Sequence, residues 1–528
     1  MRRLLLACAL TCSAAACTTP GEPSAGITPE IAAFSFTRAA NPALSADVLG
    51  VITGDTIRLV IPEIVAVDSL APSFTTNEAS SVVAIGGAVQ RSGTSRTDFT
   101  PDVRYTVNSS TGNFRSYVVR VTVFTGLPAV FVTTDGGVEV TSRVTYLPAT
   151  VRVYGGKDHP EWSFTAATNI RGRGNSTWDN PKKPYRLKLT TSASMFGFPA
   201  DRDWVLLANY WDLSLARNAT AFRISEVLGM AFTPRCMPLE VFMNGAHQGS
   251  YQLCDHIEFA PSRVPAGADG WFLELVDRGR AQSDGDSYFQ TPQIDEFTTR
   301  YDPIPSVWSY KQPAPPSAAQ RAVIEVQVLQ FEQLLYGSGF ADPVTGYASQ
   351  VDVRSLIDWY LVNELSKNND SAFSLSVYIY RTATGRITFG PAWDFDLAFG
   401  NYPYDGQPDG WKVKVSGWME RFFADPAFVA QVKSRWLVLK GRRAELDAFV
   451  RDYTDRLALS QRRSHALWSP YLPPPSFTAG AAPVAFASPV LRGFASLFTD
   501  ADYALEVQRT RAWLSTRFDW LDQQIMGL

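Results

Sequence analysis

The chain has 528 residues, enough for two or three domains at about 150 residues each. Hydrophobic residues make up 45% and charged residues 19%, so a packed globular core is expected. The net charge is −3, from 48 basic against 51 acidic residues, and the basic residues come only in short runs, which argues against nucleic acid as a partner.

The chain begins MRRLLLACALTCSAAAC. Two arginines, a short apolar core and then small residues form a secretory signal too short to span a bilayer as a helix. The small residues before Cys17 resemble a bacterial lipobox, which implies acylation of Cys17 as the mature N-terminus; the alternative is cleavage at the A-x-A pattern without lipid. Residues 18–28 read as a polar tether. Thr18 follows the cysteine, which by the same resemblance allows sorting to an outer membrane. The expected location is therefore the cell envelope, lipid-anchored outside the cytoplasm.

Residues 29–127 alternate in the manner of strands. In SYVVRVTVF, Tyr117, Val119, Val121 and Val123 share one face, and NSSTGN is a turn between two such runs. No helical period interrupts, so an all-β sandwich is expected. It resembles the immunoglobulin-like modules that precede other domains in bacterial surface lipoproteins, and it reads as a spacer.

Residues 128–528 mix strands and helices, an α+β domain with a strand-rich first half and a helical second half. AVFVTT, ATVRVYG and KKPYRLKLT are strand-like. SLARNATAFRISEVLG is helical, as is VDVRSLIDWYLVNELSK behind an Asp352 cap. Further helices are expected near 317–336, 426–458 and 502–526, with a Pro-rich surface loop, SPYLPPPSFTAGAAP, between the last two. Asn244-Gly245 marks a hairpin. Pairing about that turn sets Cys236 nearly opposite Cys254, so in an oxidising compartment a cross-strand disulfide is expected, with two reduced core cysteines as the alternative.

Familiar catalytic signatures are missing. The four histidines form no zinc-protease motif, and there is neither a G-x-S-x-G elbow nor a phosphate-binding P-loop. What remains is carboxylates, lysines and a glycine turn. In NELSKNNDSAF a helix runs into Asn368, Asn369 and Asp370, chemistry that favours a loop for Asp370. In GRITFGPAWDFDLAFGN, Asp394 and Asp396 would point the same way from a strand and could hold Mg²⁺ or Mn²⁺. A hairpin turning at Thr384-Gly385 would bring these clusters together. In RGRGNSTWDNPKKPYRLKL, Gly172 and Gly174 allow backbone to approach phosphate, Asn175 and Ser176 add donors, and Lys182, Lys183 and Lys188 come next. A base-like Asp, a hairpin and a metal-binding Asp is the layout of a protein-kinase site.

Those stretches, with YWDLSLARNATAF, LEVFMNGAHQGSYQL and GWFLELVDR, resemble the spore-coat protein H (CotH) family of secreted kinase-like proteins, from about Ala129 onward. The resemblance implies an atypical protein-kinase-like fold that uses ATP and Mg²⁺ or Mn²⁺ to phosphorylate Ser or Thr of a protein. It implies Asp370 as the catalytic aspartate and Asp394 and Asp396 as metal ligands. The nucleotide would meet Arg171, Gly172, Gly174, Asn175 and Ser176, with Lys183 or Lys188 as the phosphate-contacting lysine. Ordinary kinases place an Asn shortly after the catalytic Asp; here Ser374 and Ser376 stand instead. The rival readings are an inactive kinase-fold surface protein acting in adhesion or envelope assembly, and a carbohydrate hydrolase using Asp370 with Asp394 or Asp396.

Overall fold

Strand alternation shapes the first of two compact units, which divide between Thr125 and Gly126. The computed structural model describes residues 28–44, 47–61, 65–156, 159–292, 306–402, 405–468 and 500–528. The expected signal, Cys17, nearly all of the tether and the Pro-rich loop lie outside these residues.

The first unit holds β1 (Ile31–Phe36), β2 (Val48–Leu49), β3 (Val51–Thr53), β4 (Thr56–Ile61), β5 (Ser73–Thr76), β6 (Val82–Ile85), β7 (Ala88–Val89), β8 (Val103–Asn108) and β9 (Phe114–Val123). One sheet runs β2-β1-β5 and the other β3-β4-β9-β8-β6-β7. Every second residue of β4, β8 and β9 turns inward, so Ile57, Leu59, Tyr105, Val107, Tyr117 and Val119 join Phe34, Phe36 and Phe99 in one core.

The second unit is α+β. Its strand-rich half comprises β10 (Ala129–Thr134), β11 (Leu147–Tyr154), β12 (Phe164–Gly172), the one-turn α1 (Ser176–Asp179), β13 (Tyr185–Ala193), β14 (Asp201–Leu207), α2 (Arg217–Leu228), β15 (Cys236–Met243) and β16 (Ala246–Asp255). The strands close a barrel in the order β10-β11-β12-β13-β14-β16-β15, sealed by the parallel pair β10–β15. Val132, Val151, Leu187, Leu189, Leu239 and Val241 fill its interior, each such burial contributing roughly 1.5–3 kcal/mol.

Asn244 and Gly245 both take positive φ (49° and 78°), the type I′ geometry expected of the hairpin. The Asn244 amide does more than turn the chain: its Oδ1 accepts from Thr134 N at 2.9 Å, tying the hairpin to the end of β10. Cys236 pairs directly with Cys254. Asp255 N donates to Arg235 O at 3.1 Å, so the cysteines occupy the adjacent non-hydrogen-bonded pair, where side chains stand closest. The expected disulfide is nonetheless not formed, and both are free thiols. Burial pushes the Cys254 thiol well up, which favours its protonated form.

The helical half comprises β17 (Trp271–Val276), α3 (Arg278–Asp284), β18 (Tyr288–Thr291), β19 (Ser306–Gln312), α4 (Ala318–Tyr336), α5 (Val353–Leu365), β20 (Val377–Arg381), β21 (Thr388–Phe389), α6 (Trp418–Phe422), α7 (Pro426–Lys440), α8 (Arg443–Trp468) and α9 (Asp500–Gly527). The strands form an antiparallel sheet, β18-β19-β17-β20-β21. The helix expected over 426–458 is two helices, broken at Gly441, a residue with poor helix propensity. Asp352 caps α5, accepting from the N–H groups of Arg354 and Ser355. Every residue from Leu356 to Leu365 is buried, so α5 is a central helix rather than one with a single apolar stripe.

Candidate active site

Helix α5 ends at a tight loop, and Lys367 takes φ +49° as the chain leaves it. The buried Asn368 amide holds the loop that carries Asp370. Its Nδ2 donates to Asn363 Oδ1 (3.2 Å), Ser371 Oγ (3.1 Å) and the carbonyl of Asp394 (3.0 Å), while its Oδ1 accepts from Asp370 N (3.2 Å). One side chain thus ties the Asp370 loop to the Asp394 loop across 26 residues. The expected β20–β21 hairpin brings them back together.

Asp394 and Asp396 converge on one site, but not through strand alternation. They lie in a loop after β21, and Asp394 sits at φ +69°, a left-handed conformation that Asp tolerates better than most residues. Asn218 of α2 braces this loop, its Oδ1 accepting from Phe395 N at 3.0 Å. Phe395 itself is fully buried, while the flanking Asp394 and Asp396 are partly buried on the cavity wall. Ligand oxygens of Asp370, Asp394 and Asp396 all lie within 4.8 Å of one another.

That crowding is electrostatically costly. Burial first and the Asp394 charge second push Asp370 up to about 7. Burial, Asp394 and Asp370 together push Asp396 well above the usual carboxylate range. Three carboxylates this close ionise together only beside a compensating cation. Hard oxygen donors in one cluster fit Mg²⁺ or Mn²⁺.

The three aspartates line a cavity of about 760 Å³, a size that suits a small-molecule ligand. Gly174, Asn175 and Ser176 of the glycine turn form part of its wall, with Gly174 at φ +86°. So do Tyr210, Trp211, Trp393 and Tyr402, which make it largely aromatic on one side.

The remaining expected nucleotide contacts stand elsewhere. Lys188 points out of the barrel, because Tyr185, Leu187 and Leu189 take the inner face of β13. Lys183 donates to Trp178 O at 2.6 Å and lies over its ring. Arg171 donates instead to the carbonyls of Arg143 and Gly172. Gly172 makes room for the Trp178 ring, which a Cβ there would meet at 2.3 Å. Lys182 is buried on Ser250 O and Ser464 Oγ, and burial lowers its pKa to about 7.

Two arginines on the wall were not singled out from sequence. Arg173, one residue beyond β12, faces the Trp393 ring at 5.7 Å. Burial pulls its pKa down, and the Asp394 charge opposes that shift. Arg280 of α3 is held by Glu274 at 3.2 Å. Glu274 is buried on Lys311 (2.8 Å) and the Tyr378 hydroxyl (2.9 Å); burial raises its pKa, but the Lys311 and Arg280 charges and these hydrogen bonds outweigh that and lower it. Arg173 was readable as the second arginine of RGRG, and Arg280 only as a charge shortly after the Glu274 strand.

Aspartates from two loops, a hairpin between them and a glycine turn opposite reproduce the motif order seen in the sequence. The CotH kinase protein family model matches residues 170–521, more than half of the chain and every element that lines the cavity. The chain belongs to the CotH kinase protein family.

Membership makes the second unit of this CotH protein a kinase-like domain. Within its first unit, the family model described as SGBP, N-terminal, matches residues 42–121. No curated protein matches the chain. A solved structure from Bacteroides thetaiotaomicron, provisionally described as a glycoside hydrolase, is 15% identical, with a TM-score of 0.18. The alignment covers 52% of this chain and 66% of that one, and carries no argument about activity.

Proposed function

We propose that this CotH protein is an extracytoplasmic, lipid-anchored protein kinase that transfers the γ-phosphate of ATP to a Ser or Thr hydroxyl of a protein. The observation that carries this reading is the convergence of Asp370, Asp394 and Asp396 within 4.8 Å on the wall of a cavity that also holds a glycine turn and two arginines. A divalent cation supplies neutralisation of phosphate charge in such chemistry, and Asp394 with Asp396 are the residues to hold it. The turn at Gly174 to Ser176 offers backbone and hydroxyl donors to phosphate oxygens, and Arg173 adds positive charge. Asp370 orients the acceptor hydroxyl and takes its proton. The hydroxyl oxygen bonds to the γ-phosphorus while the bond from that phosphorus to the β-bridging oxygen breaks, releasing ADP.

A second reading, a surface protein that keeps the fold without transfer, draws on one observation: among the described residues no lysine stands on the cavity wall. Incubation with γ-labelled ATP and Mn²⁺ separates the two. We expect label on protein serine or threonine with the wild type and a loss of about 10³-fold or more with Asp370→Ala. Fractionation of the same cells reads the anchor, which Cys17→Ser should release from membranes. Equal labelling by wild type and Asp370→Ala would falsify the role given to Asp370.

A further inference from the structure

The cavity wall carries one carboxylate cluster and two arginines, of which Arg280 is held from behind by Glu274. We infer that Arg280 is the positive charge that meets the terminal phosphoryl group. This inference rests on the reading of the cavity as an ATP site.

The observation that carries it is that Arg280 is placed on the wall and braced from behind. Its side chain is 23% exposed and lines the cavity, while Glu274 behind it is 2% exposed. Glu274 takes Arg280, Lys311 and the Tyr378 hydroxyl, so it both neutralises and aims the guanidinium. On the cavity side, Arg280 shares the wall with Asp394, the expected metal ligand, and Asp370, the expected proton acceptor. In phosphoryl transfer, charge gathers on the oxygens between those two positions. A planar guanidinium offers two parallel N–H donors to such oxygens, which an ammonium cannot.

The test is equilibrium binding of ATP, ADP and AMP to the full chain with Mn²⁺, measured calorimetrically. Wild type should bind ATP more tightly than ADP. Arg280→Met should lose that preference by 10-fold or more while AMP affinity changes less than about 3-fold. Arg280→Lys should recover part of it, because the charge returns without the fork. Glu274 keeps Lys311 and Tyr378 in both variants, and the melting temperature without ligand checks the fold. An unchanged ATP-to-ADP ratio in Arg280→Met overturns this inference while leaving the ATP site standing. No ATP binding by wild type overturns both.

Discussion

Glu332 shows how a single buried acid couples this fold to pH. Its Oε1 accepts from Thr291 Oγ1 at 3.1 Å and from Trp418 Nε1 at 2.9 Å, and among the described residues no cation pairs with it. Burial pushes its carboxyl from 4.5 up to about 7. The folded chain therefore holds this proton more tightly than the unfolded chain. Stability from Glu332 is complete below about pH 4.5 and declines as pH rises to about 7. Glu332→Gln keeps the accepting oxygen and removes the charge. It should gain on the order of 1–3 kcal/mol relative to wild type between pH 4.5 and pH 8, read by urea denaturation. A wild-type-to-variant difference that stays flat across that range contradicts the assignment. Among the site residues, Asp370, Asp394 and Asp396 were legible as acids on either side of a hairpin, although Asp394 and Asp396 were expected on a strand and lie in a loop. Lys188 was not, since alternation separates two faces of β13 without saying which face a barrel will hide. Arg280 was missed because it belongs to no motif, and Arg173 because nothing in RGRG sets it apart from Arg171. Their positions depend on contacts, with Trp393 and with Glu274, that no local pattern reports.

Elements were legible where their ends carry chemistry. Asp352 announced α5, Ser317 begins α4 with a capping box, and Asn244-Gly245 announced the β15–β16 turn. The segment after Asp394 had no such signal, and its order comes from α9. Arg517 is fully buried and donates to Glu364 Oε1 (2.6 Å), to the Glu364 carbonyl, and to the carbonyls of Pro408 (2.8 Å) and Gly410 (2.7 Å). Glu364 in turn accepts from the N–H groups of Lys412 and Lys414. Lys367 holds the same stretch through Asp405 and the carbonyls of Gln407 and Asp409. Helix α9 thereby fixes both the end of α5, which leads into Asp370, and the stretch after the metal-binding loop. Arg517→Met strands the Glu364 charge in the core, so a loss of about 3–5 kcal/mol is expected in chemical denaturation. A loss below about 1 kcal/mol shows that the clamp carries little.

Across the full chain, the change from uninterrupted strands to mixed elements near residue 128 was visible in the sequence, and the structure divides at Thr125. The α+β character of the second unit followed from its alternating periods. Closure of the barrel did not, because β10 pairs with β15 more than 100 residues later, and loop closure over that distance leaves no local trace. That closure matters for function, since it turns Lys188 outward and leaves Gly174 to Ser176 on the cavity wall.

Everything proposed for this protein depends on ATP binding in the cavity through the three aspartates. A ligand that binds only the folded state must raise the melting temperature, by about 2.7 kcal/mol of added stability at 100 times Kd. The decisive experiment is the melting temperature of the full chain with and without ATP and Mn²⁺, for wild type and Asp394→Ala. Wild type should gain several degrees, and only with both ligands together, while Asp394→Ala should gain none. A wild-type melting temperature indifferent to ATP and Mn²⁺, or an equal rise in Asp394→Ala, contradicts the ATP site.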